Sequence, residues 1–515
     1  AMSFTFTNSQ TINSNTNLQS LNIETGETLV INPAIQLTVG TFINNGTLRL
    51  LSDATGTATF IPTTIAGNGN YNVNQHLPMG SRNWYTSSPI TDAIVPNTAT
   101  SYSYEENGSN LDLSTPSASA YWKPFYTGST MEVGKGYVLP ITSPTETKNL
   151  EYTGVINHIN VDENFDIGLT RTETASSKGF NLVGNPYTAY LDWSVVKALE
   201  ANSNLESSIW FRTKNAVGYT FATFNSTGNQ VVSNGALTTI SNLIPPMQAF
   251  WVRVKPNVNN TSYATSLRLN STMRAHCSAS ENKLKAPAAT QTPSIRLTLS
   301  NGEASDETLL YFTPEADNSK DDYDTPKFLN NSTQVPDLYT IVNSDKMVIN
   351  GMKTIPYETE ISLGFATAKK GTLSLKATEI VGLPQGTQVL LKNAQATSLI
   401  DLTNGSEFSF DSEAQTSNNR FSLIIRSINF INGLNQLNKE FPARVFIASD
   451  GIMHIETDEI MDKTTAAIYN TSGQLLETVP LLSGKAVISS IFTSGVYWIR
   501  IANCNKVCVK KVIVP

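Results

Sequence analysis

The densest group of potential metal ligands lies in one ten-residue segment, 315–324 (EADNSKDDYD), which has five acidic residues and one lysine. Hard cations such as Ca²⁺ bind about six to eight oxygens from carboxylates and carbonyls. The four aspartates that could supply several of them are Asp317, Asp321, Asp322 and Asp324. Their spacing differs from that of an EF-hand. Two interpretations stay open: a solvated acidic loop, or a calcium site that stiffens the loop.

Neighbouring aromatic residues are the second chemical feature. Trp84 precedes Tyr85, and Tyr121 precedes Trp122. Exposed aromatic faces stack on sugars, whereas a neighbouring pair in a strand places one ring inside and one outside. Core packing is the simpler explanation. Ligand binding through Trp84, Tyr121 and Trp122 is the alternative, and it would make the chain a carbohydrate-binding surface protein that uses aromatic residues of 84–251.

The cysteines could support a cross-link. Cys504 and Cys508 stand in the sequence CNKVC, without the second pair of ligands that a zinc site needs. A three-residue turn at 505–507 would place the two thiols opposite each other on a hairpin. A disulfide and two free thiols are both consistent with this spacing.

Enzyme motifs are missing from the sequence. None of the four histidines belongs to an HExxH pair, and no GxSxG nucleophile motif occurs. Residues 128–136 (GSTMEVGKG) imitate a phosphate loop but lack its spacing and its final Ser or Thr. We therefore expect a protein that is not an enzyme. A catalytic site assembled from distant residues is the remaining alternative.

Composition narrows the class of protein. Only 15% of the 515 residues are charged, and the net charge of −7 argues against nucleic-acid binding. No apolar run reaches the length of a transmembrane helix. Apolar and polar residues alternate along most of the chain, which predicts a nearly all-β fold. The one helical candidate is 194–201 (SVVKALEA).

A short repeat occurs at residues 17–62. Apolar pairs recur between turn residues, at Leu21/Ile23, Leu29/Ile31, Leu37/Val39 and Leu48/Leu50. Each pair is too short to fold alone, but stacked rungs would bury a shared apolar stripe. The pattern favours a β-solenoid over an ordinary meander.

Composition shifts divide the chain into six parts. We predict a β-solenoid-like segment at 1–75 and an aromatic-rich β domain at 76–275, followed by a linker at 276–293. A β-sandwich domain at 294–428, a second linker at 429–442 and a C-terminal β-sandwich at 443–515 complete the chain. The two larger domains are both expected to be sandwich-like. In 294–428 short strands recur at roughly ten-residue spacing, which is typical of a sandwich.

The last part contains AIYNTSGQLL at 467–476, SGVYWIRI at 494–501 and KKVI at 510–513. These segments resemble the C-terminal sorting domains of the type IX secretion system of Bacteroidota, although the opening RVFIASDGIMHI differs from the Asn-Pro opening of many members. The resemblance implies an Ig-like β-sandwich, export to the extracellular space or outer cell surface, and the type IX machinery as a partner. The resemblance also implies that the sorting signal is carried by Gly473, Gly495, Tyr497, Lys510 and Lys511.

One detail of the strand at 494–501 follows from its residues. Val496, Trp498 and Ile501 cannot share one face, so we predict a largely buried strand.

Motifs in the two larger domains resemble segments of other large surface proteins from the same bacteria, some adhesin-like and some layer-forming. They include WYTSSP, GKGY, GFNLVGNPY, PMQAFWV, DETLLYF, DYDTPK, MVING and NRFSL. The resemblance implies a secreted, non-enzymatic surface protein with a structural or adhesive role. Its expected partners are cell-surface components, host or matrix components, or glycans.

Overall fold

A computed structural model describes residues 3–514 except 7, 79, 95–100, 108–121, 142–144, 146, 174–177, 235–239, 258, 278–291, 356–357, 397–398, 428–442, 449–450, 458–463, 489–491 and 503–506. The chain forms two compact units. The first, here called the body, comprises Ala1–Leu383 and Gln388–Ile425, and the second, the tail unit, comprises Pro384–Thr387 and Arg426–Pro515. The fold is nearly all β.

The strands that build the first part of the body pair with one another in parallel, except for a short antiparallel pair at 52–53 and 56–57. They are β1 (Ser3–Phe6), β2 (Gln10–Ile12), β3 (Thr16–Ile23), β4 (Thr28–Ile31), β5 (Gln36–Asn44), β6 (Thr47–Leu50), β7 (Ser52–Asp53), β8 (Gly56–Thr57), β9 (Thr59–Ala66) and β10 (Asn70–Leu77). One sheet has the order β1-β3-β5-β9, and β2, β4, β6 and β10 stack in parallel in a second sheet. This arrangement confirms the solenoid-like segment.

The predicted apolar pairs form the interior of the solenoid, where all eight side chains are buried. Leu48 lies between Leu29 and Tyr71 in one parallel ladder. Successive pairs alternate between the two sheets, so one coil uses two of the predicted rungs. The repeat is therefore about twice as long as the apolar spacing suggests.

Buried polar groups hold the corners of the coils. The Asn44 side chain donates to the carbonyl of Asn70 at 3.0 Å and accepts the Gly46 N–H at 3.1 Å. A Cβ on Gly46 would lie 2.3 Å from the carbonyl oxygen of Glu27. Glycine is needed there because neighbouring coils approach too closely for a side chain.

The next six strands continue the solenoid's second sheet and add a new one. They are β11 (Arg82–Thr86), β12 (Ile90–Thr91), β13 (Ser101–Tyr104), β14 (Trp122–Phe125), β15 (Tyr137–Ile141) and β16 (Lys148–Ile156). Strand β16 pairs with β10 and β12, whereas the new sheet has the order β11-β15-β13-β14. One hydrophobic cluster extends from Leu18 to Ile156 and includes Met247. The predicted division at residue 75 falls within β10.

The third group of elements contains the longest helix of the described residues. The strands are β17 (Asn164–Thr172), β18 (Phe180–Gly184), β19 (Tyr190–Asp192), β20 (Ser208–Lys214), β21 (Tyr219–Asn225), β22 (Gln230–Val232), β23 (Leu243–Ile244), β24 (Ala249–Arg253), β25 (Ser262–Asn270) and β26 (Arg274–Ala275). Helix α1 (Trp193–Ala198) begins where Asp192 caps the Ser194 N–H at 3.0 Å. Short 3₁₀ turns follow at Glu200–Asn202 and Ser271–Met273.

A single eleven-stranded sheet ends the body. Its strands are β27 (Ser294–Ser300), β28 (Ser305–Phe312), β29 (Thr325–Pro326), β30 (Asp337–Val342), β31 (Asp345–Met352), β32 (Glu358–Thr367), β33 (Gly371–Val381), β34 (Thr387–Asn393), β35 (Leu399–Asp401), β36 (Glu407–Ser412) and β37 (Gln415–Ser427). Buried residues from both halves of the sheet, such as Leu375 of β33 and Leu423 of β37, share one cluster. The sheet therefore folds onto itself in two layers.

The tail unit is a sandwich of two small sheets. Its strands are β38 (Ala443–Ile447), β39 (Met453–Thr457), β40 (Thr465–Tyr469), β41 (Leu475–Pro480), β42 (Lys485–Ile488), β43 (Gly495–Ala502) and β44 (Val507–Val514). The orders are β38-β39-β42 and β41-β40-β43-β44. Ile455, Ile468 and Ile499 lie in the core between the sheets. The prediction that β43 is largely buried is wrong, because its Trp498 is 42% exposed and only its other face packs inward.

Within the described part of the chain, no helix has the length and apolar character needed to cross a membrane.

Candidate functional site

The predicted aromatic residues lie in two different clusters. Trp122 is half-buried in β14, with its ring centroid 5.0 Å from that of Tyr104 and 6.0 Å from that of Trp251. Trp84 packs instead against the solenoid-side core, and the guanidinium of Arg82 lies 4.4 Å from its ring centroid. Tyr121 is outside the described residues. The structure therefore does not bring Trp84 and Trp122 together into one stacking platform.

A later segment of the chain completes the cluster around Trp251. Phe328 stacks on Phe180 and Phe221, with ring centroids 3.9 Å and 4.2 Å apart, and meets Trp251 edge-on at 5.1 Å. Offset and edge-to-face ring pairs stabilise a fold beyond the area they bury. Most rings of the cluster around Trp251 therefore pack the third group of elements against the segment that leads into β30 of the eleven-stranded sheet.

A polar cleft of about 470 Å³ adjoins the same cluster. Tyr104 lines it together with Glu132, Lys135, Asp166 and Asn181. Its volume lies within the range of roughly 300–1,000 Å³ that is usual for small-molecule sites.

Ion pairs fix the charged side chains of the cleft. Asp166 accepts two hydrogen bonds from Arg268, at 2.8 and 2.7 Å, and these bonds lower the pKa of its carboxyl. Lys135 lies 3.5 Å from Glu132. The cleft thus offers anionic and amide oxygens beside one aromatic ring.

A buried carboxylate that the sequence does not indicate lies in the wall of this cleft. Glu106 accepts the N–H groups of Thr172 and Gly179, at 3.0 and 2.8 Å, and the hydroxyl of Thr170 at 3.1 Å. These partners are distant in sequence, so no local pattern indicates that Glu106 is buried. Its carboxylate holds β17 and β18 in place behind the cleft.

The acidic segment 315–324 is a loop braced by its own carboxylates. Asp321 accepts the N–H groups of Asp317 and Tyr323, at 2.7 and 2.8 Å. Asp324 is buried and accepts those of Asp321 and Gly351, at 3.0 and 2.9 Å. Burial raises the pKa of Asp324 to about 7, although both hydrogen bonds oppose the shift.

The other two aspartates of the loop point to different partners. Asp317 accepts hydrogen bonds from the backbone and hydroxyl of Ser319, at 2.8 and 2.7 Å, whereas Asp322 pairs with Lys255 at 2.5 Å. Across the described residues, no three His, Cys, Asp or Glu side chains are arranged to hold a metal ion. The four aspartates therefore do not converge on a common point, and the calcium site stays a prediction.

A buried group of charges lies beside this loop. The amine of Lys327 contacts Oδ2 of Asp306 and lies 3.8 Å from Oδ1 of Asp337. The sequence motif DYDTPK ends at Lys327, but nothing in it indicates that this lysine is buried.

The residues assigned to the sorting signal occupy several different environments. Gly473 lies in the β40–β41 turn with φ of +79°, a conformation that favours glycine, and Asn470 accepts the Ser472 and Gln474 N–H groups there. Gly495 is the first residue of β43. Tyr497 is buried, and its hydroxyl donates to the carbonyl of Thr493 at 2.8 Å.

The basic residues of the tail unit are solvent-exposed. Lys510 and Lys511 lie on the edge strand β44, opposite Ile499 and Trp498. An edge lysine discourages pairing with a further strand.

The cysteine hairpin differs from the predicted one. Val507 pairs with Ala502 and Cys508 with Ile501, so the connection is 503–506 rather than a turn at 505–507. Cys504 lies outside the described residues, and the disulfide stays a prediction.

Comparisons with known proteins agree with this division into two units. Residues 3–425 match the family described as Domain of unknown function (DUF8693), and residues 449–515 match the Secretion system C-terminal sorting domain. No curated protein matches the chain. Among solved structures, the Bacillus anthracis TIE protein aligns at 10% identity over 86% of this chain and 72% of its own, with a TM-score of 0.10. That similarity is too low to inform the fold.

The first match spans most of the chain, and the second covers nearly all of the tail unit that carries the sorting motifs. The chain therefore belongs to the DUF8693 family and is a type IX-secreted surface protein of Bacteroidota, directed by its C-terminal sorting domain to the extracellular space or the outer cell surface.

Proposed function

We propose that this exported chain is a non-enzymatic structural or adhesive component of the cell surface. The observation that carries the proposal is the continuity of the body from the solenoid to the eleven-stranded sheet. Enzymes that close on a substrate often have weakly joined domains, whereas a shared buried interior resists such motion. A stiff β body suits a protein that acts by displaying its surface.

Specific contacts join the solenoid to the third group of elements. Backbone and side chain of Thr188 both bond to Phe60, at 2.9 Å each. The ring of His276 bridges the hydroxyls of Thr38 and Thr59, at 2.9 and 2.7 Å, and burial lowers its pKa. A neutral imidazole is therefore favoured at this junction.

Similar contacts join the third group to the eleven-stranded sheet. The Asn225 amide donates to the carbonyls of Asp322 and Asp324, at 3.1 Å each. The indole of Trp210 donates to the carbonyl of Pro326 at 3.2 Å. Buried hydrogen bonds of this kind rigidify an interface because breaking them leaves unpaired polar groups.

The test begins with protease shaving of intact native cells that produce either the full chain or a version without 443–515. We expect only the full chain to reach the surface. An abundant shaved band supports a layer component, and a scarce band with binding to host-matrix proteins or to other cells supports an adhesin. A scarce protein that binds neither would contradict the proposal.

A second candidate function is carbohydrate binding in the polar cleft. It is favoured by Tyr104, which both lines the cleft and contacts Trp122. A glycan panel probed with the full chain and with Tyr104→Ala tests it. Tyr126→Ala is the matched control, because Tyr126 is 64% exposed and does not line the cleft. Loss of binding in the first variant alone would support this function, and no binding by the full chain would reject it.

A further inference from the structure

Three ionisable side chains meet in the interior of the body, on three separate strand segments. Asp306 belongs to β28, Lys327 directly follows β29, and Asp337 begins β30. Their side chains are 0%, 2% and 9% exposed. Burying charges costs free energy unless each charge is well paired, and here two carboxylates share one amine.

The amine and one carboxyl are held in contact by their surroundings. Nζ of Lys327 touches Oδ2 of Asp306, and Oδ1 of Asp337 lies 3.8 Å from the same nitrogen. The backbone of Lys327 is fixed by a 2.8 Å bond from its N–H to the carbonyl of Lys346. Fixed neighbours of this kind convert an encounter of two groups into an intramolecular reaction with a high effective concentration.

The two oxygens of Asp306 have different environments. Oδ2 accepts the N–H of Leu338 at 2.7 Å in addition to its contact with Lys327. Oδ1 is buried and has no hydrogen-bond partner among the described residues. Oδ2 is thus polarised by a backbone donor, as in an oxyanion hole, whereas Oδ1 accepts no hydrogen bond from the described residues.

We propose that Lys327 and Asp306 condense to an intramolecular isopeptide bond, with Asp337 as the proton carrier. The ammonium of Lys327 gives one proton to Asp337, and the nitrogen lone pair then forms a bond to Cγ of Asp306. The Cγ–Oδ1 bond breaks. Oδ1 leaves as water with the proton from Asp337 and a second proton from the nitrogen, while Oδ2 becomes the amide oxygen and keeps its bond from Leu338.

The product fits the site better than the ion pair does. A neutral amide replaces a buried cation and anion, which removes much of the cost of keeping charges away from water. The reaction needs no oxidant or further reactant. The new bond closes a covalent loop from 306 to 327 that contains the acidic segment 315–324. This inference is independent of the proposed structural or adhesive role.

Intact-mass spectrometry of the purified, denatured full chain tests the bond directly. Formation of one amide removes one water, so we expect a mass about 18 Da below that of the unmodified sequence. Recovery of the unmodified mass from folded protein would overturn the proposal, and this measurement needs no variant that could fail to fold.

Tryptic peptides then locate the bond. An unmodified chain yields 297–320 and 321–327 as separate peptides. A chain with the bond is not cleaved after Lys327, so it yields 297–320 joined to 321–346 as one species. A water loss that maps to any other residue would also overturn the assignment.

Variants separate the roles of the three side chains. Lys327→Arg keeps the positive charge but removes the nucleophilic amine, and it should show the unmodified mass. Asp337→Asn keeps both reacting groups and should leave most of the chain unreacted. Lys320→Arg is the matched control, because Lys320 is ion-paired to Asp345 at 3.1 Å and lies outside the buried group. It should retain the water loss.

Discussion

Alternate residues of strand β43 in the tail unit face opposite sides, so variants on one strand can test folding and recognition separately. Ile499 is fully buried between the two sheets, whereas the neighbouring Trp498 is 42% exposed. Replacing a buried Ile by Ala costs about 2–5 kcal/mol. A unit of this size is stable by about 5–14 kcal/mol, at roughly 0.05–0.15 kcal/mol per residue. We therefore expect Ile499→Ala to remove a large share of the stability of the tail unit.

Hydrogen–deuterium exchange of the full chain measures this loss locally. A cost of about 2 kcal/mol raises the rate of amide exchange roughly thirtyfold, and larger costs raise it further. The increase should occur in β40, β43 and β44 and leave body peptides unchanged, because the body is a separate compact unit. Unchanged exchange in these three strands would refute the assignment of Ile499 to the core.

Trp498→Ala is the matched variant on the same strand. Its cost should be lower, about 1 kcal/mol, since the side chain is 42% exposed and lies outside the core between the sheets. If the exposed face of this sheet contacts the secretion machinery, protease shaving should show reduced surface display of this variant despite normal exchange. Normal display would place the recognition elsewhere on the tail unit.

Three further predictions concern the body. Leu48→Ala should lower the free energy of unfolding by about 2–5 kcal/mol in urea titrations, whereas Val155→Ala, at a 62% exposed position, should change it by about 0.5 kcal/mol or less. Folded Asp324 retains its proton up to about pH 7, but an unfolded Asp loses it near pH 4, so the free energy of unfolding should fall as pH rises from about 4 to 7. Asp324→Asn should remove that part of the fall. An identical pH profile in this variant would contradict the raised pKa of Asp324. Because the loop aspartates already bond to backbone and lysine, added Ca²⁺ or a chelator should leave the melting temperature unchanged, whereas a rise with Ca²⁺ would support the calcium site.

The sequence predicts those parts of the fold that depend on local alternation. The solenoid pairs such as Leu29/Ile31 are buried as expected, because period-2 alternation directly determines which side chains face inward. The helical candidate at 194–201 is also present, as α1 and the 3₁₀ turn that follows it. Turn residues and caps act over a few positions, so they can be recognised without a structure.

Features that depend on distant residues could not be predicted in this way. The length of a solenoid coil depends on which pairs share a sheet, and adjacent pairs have the same local pattern. Glu106 and Lys327 look like ordinary charged residues in the sequence, but β17 and β18 lie around the first and Asp337 of β30 lies beside the second. The prediction for β43 failed because Trp498 is apolar but faces outward, which sequence hydrophobicity alone does not reveal.

The position of Phe328 has a consequence for the order of folding. Its ring fills the space between Phe180 and Phe221, although it follows both by a long stretch of chain. Contacts between residues so distant in sequence form slowly, because a large loop must close before they stabilise anything. A nascent chain that has not yet reached residue 328 lacks the ring that stacks on Phe180 and Phe221. The aromatic region therefore completes its packing late, and apolar surface left uncovered in such an interval is of the kind that makes folding intermediates prone to aggregate.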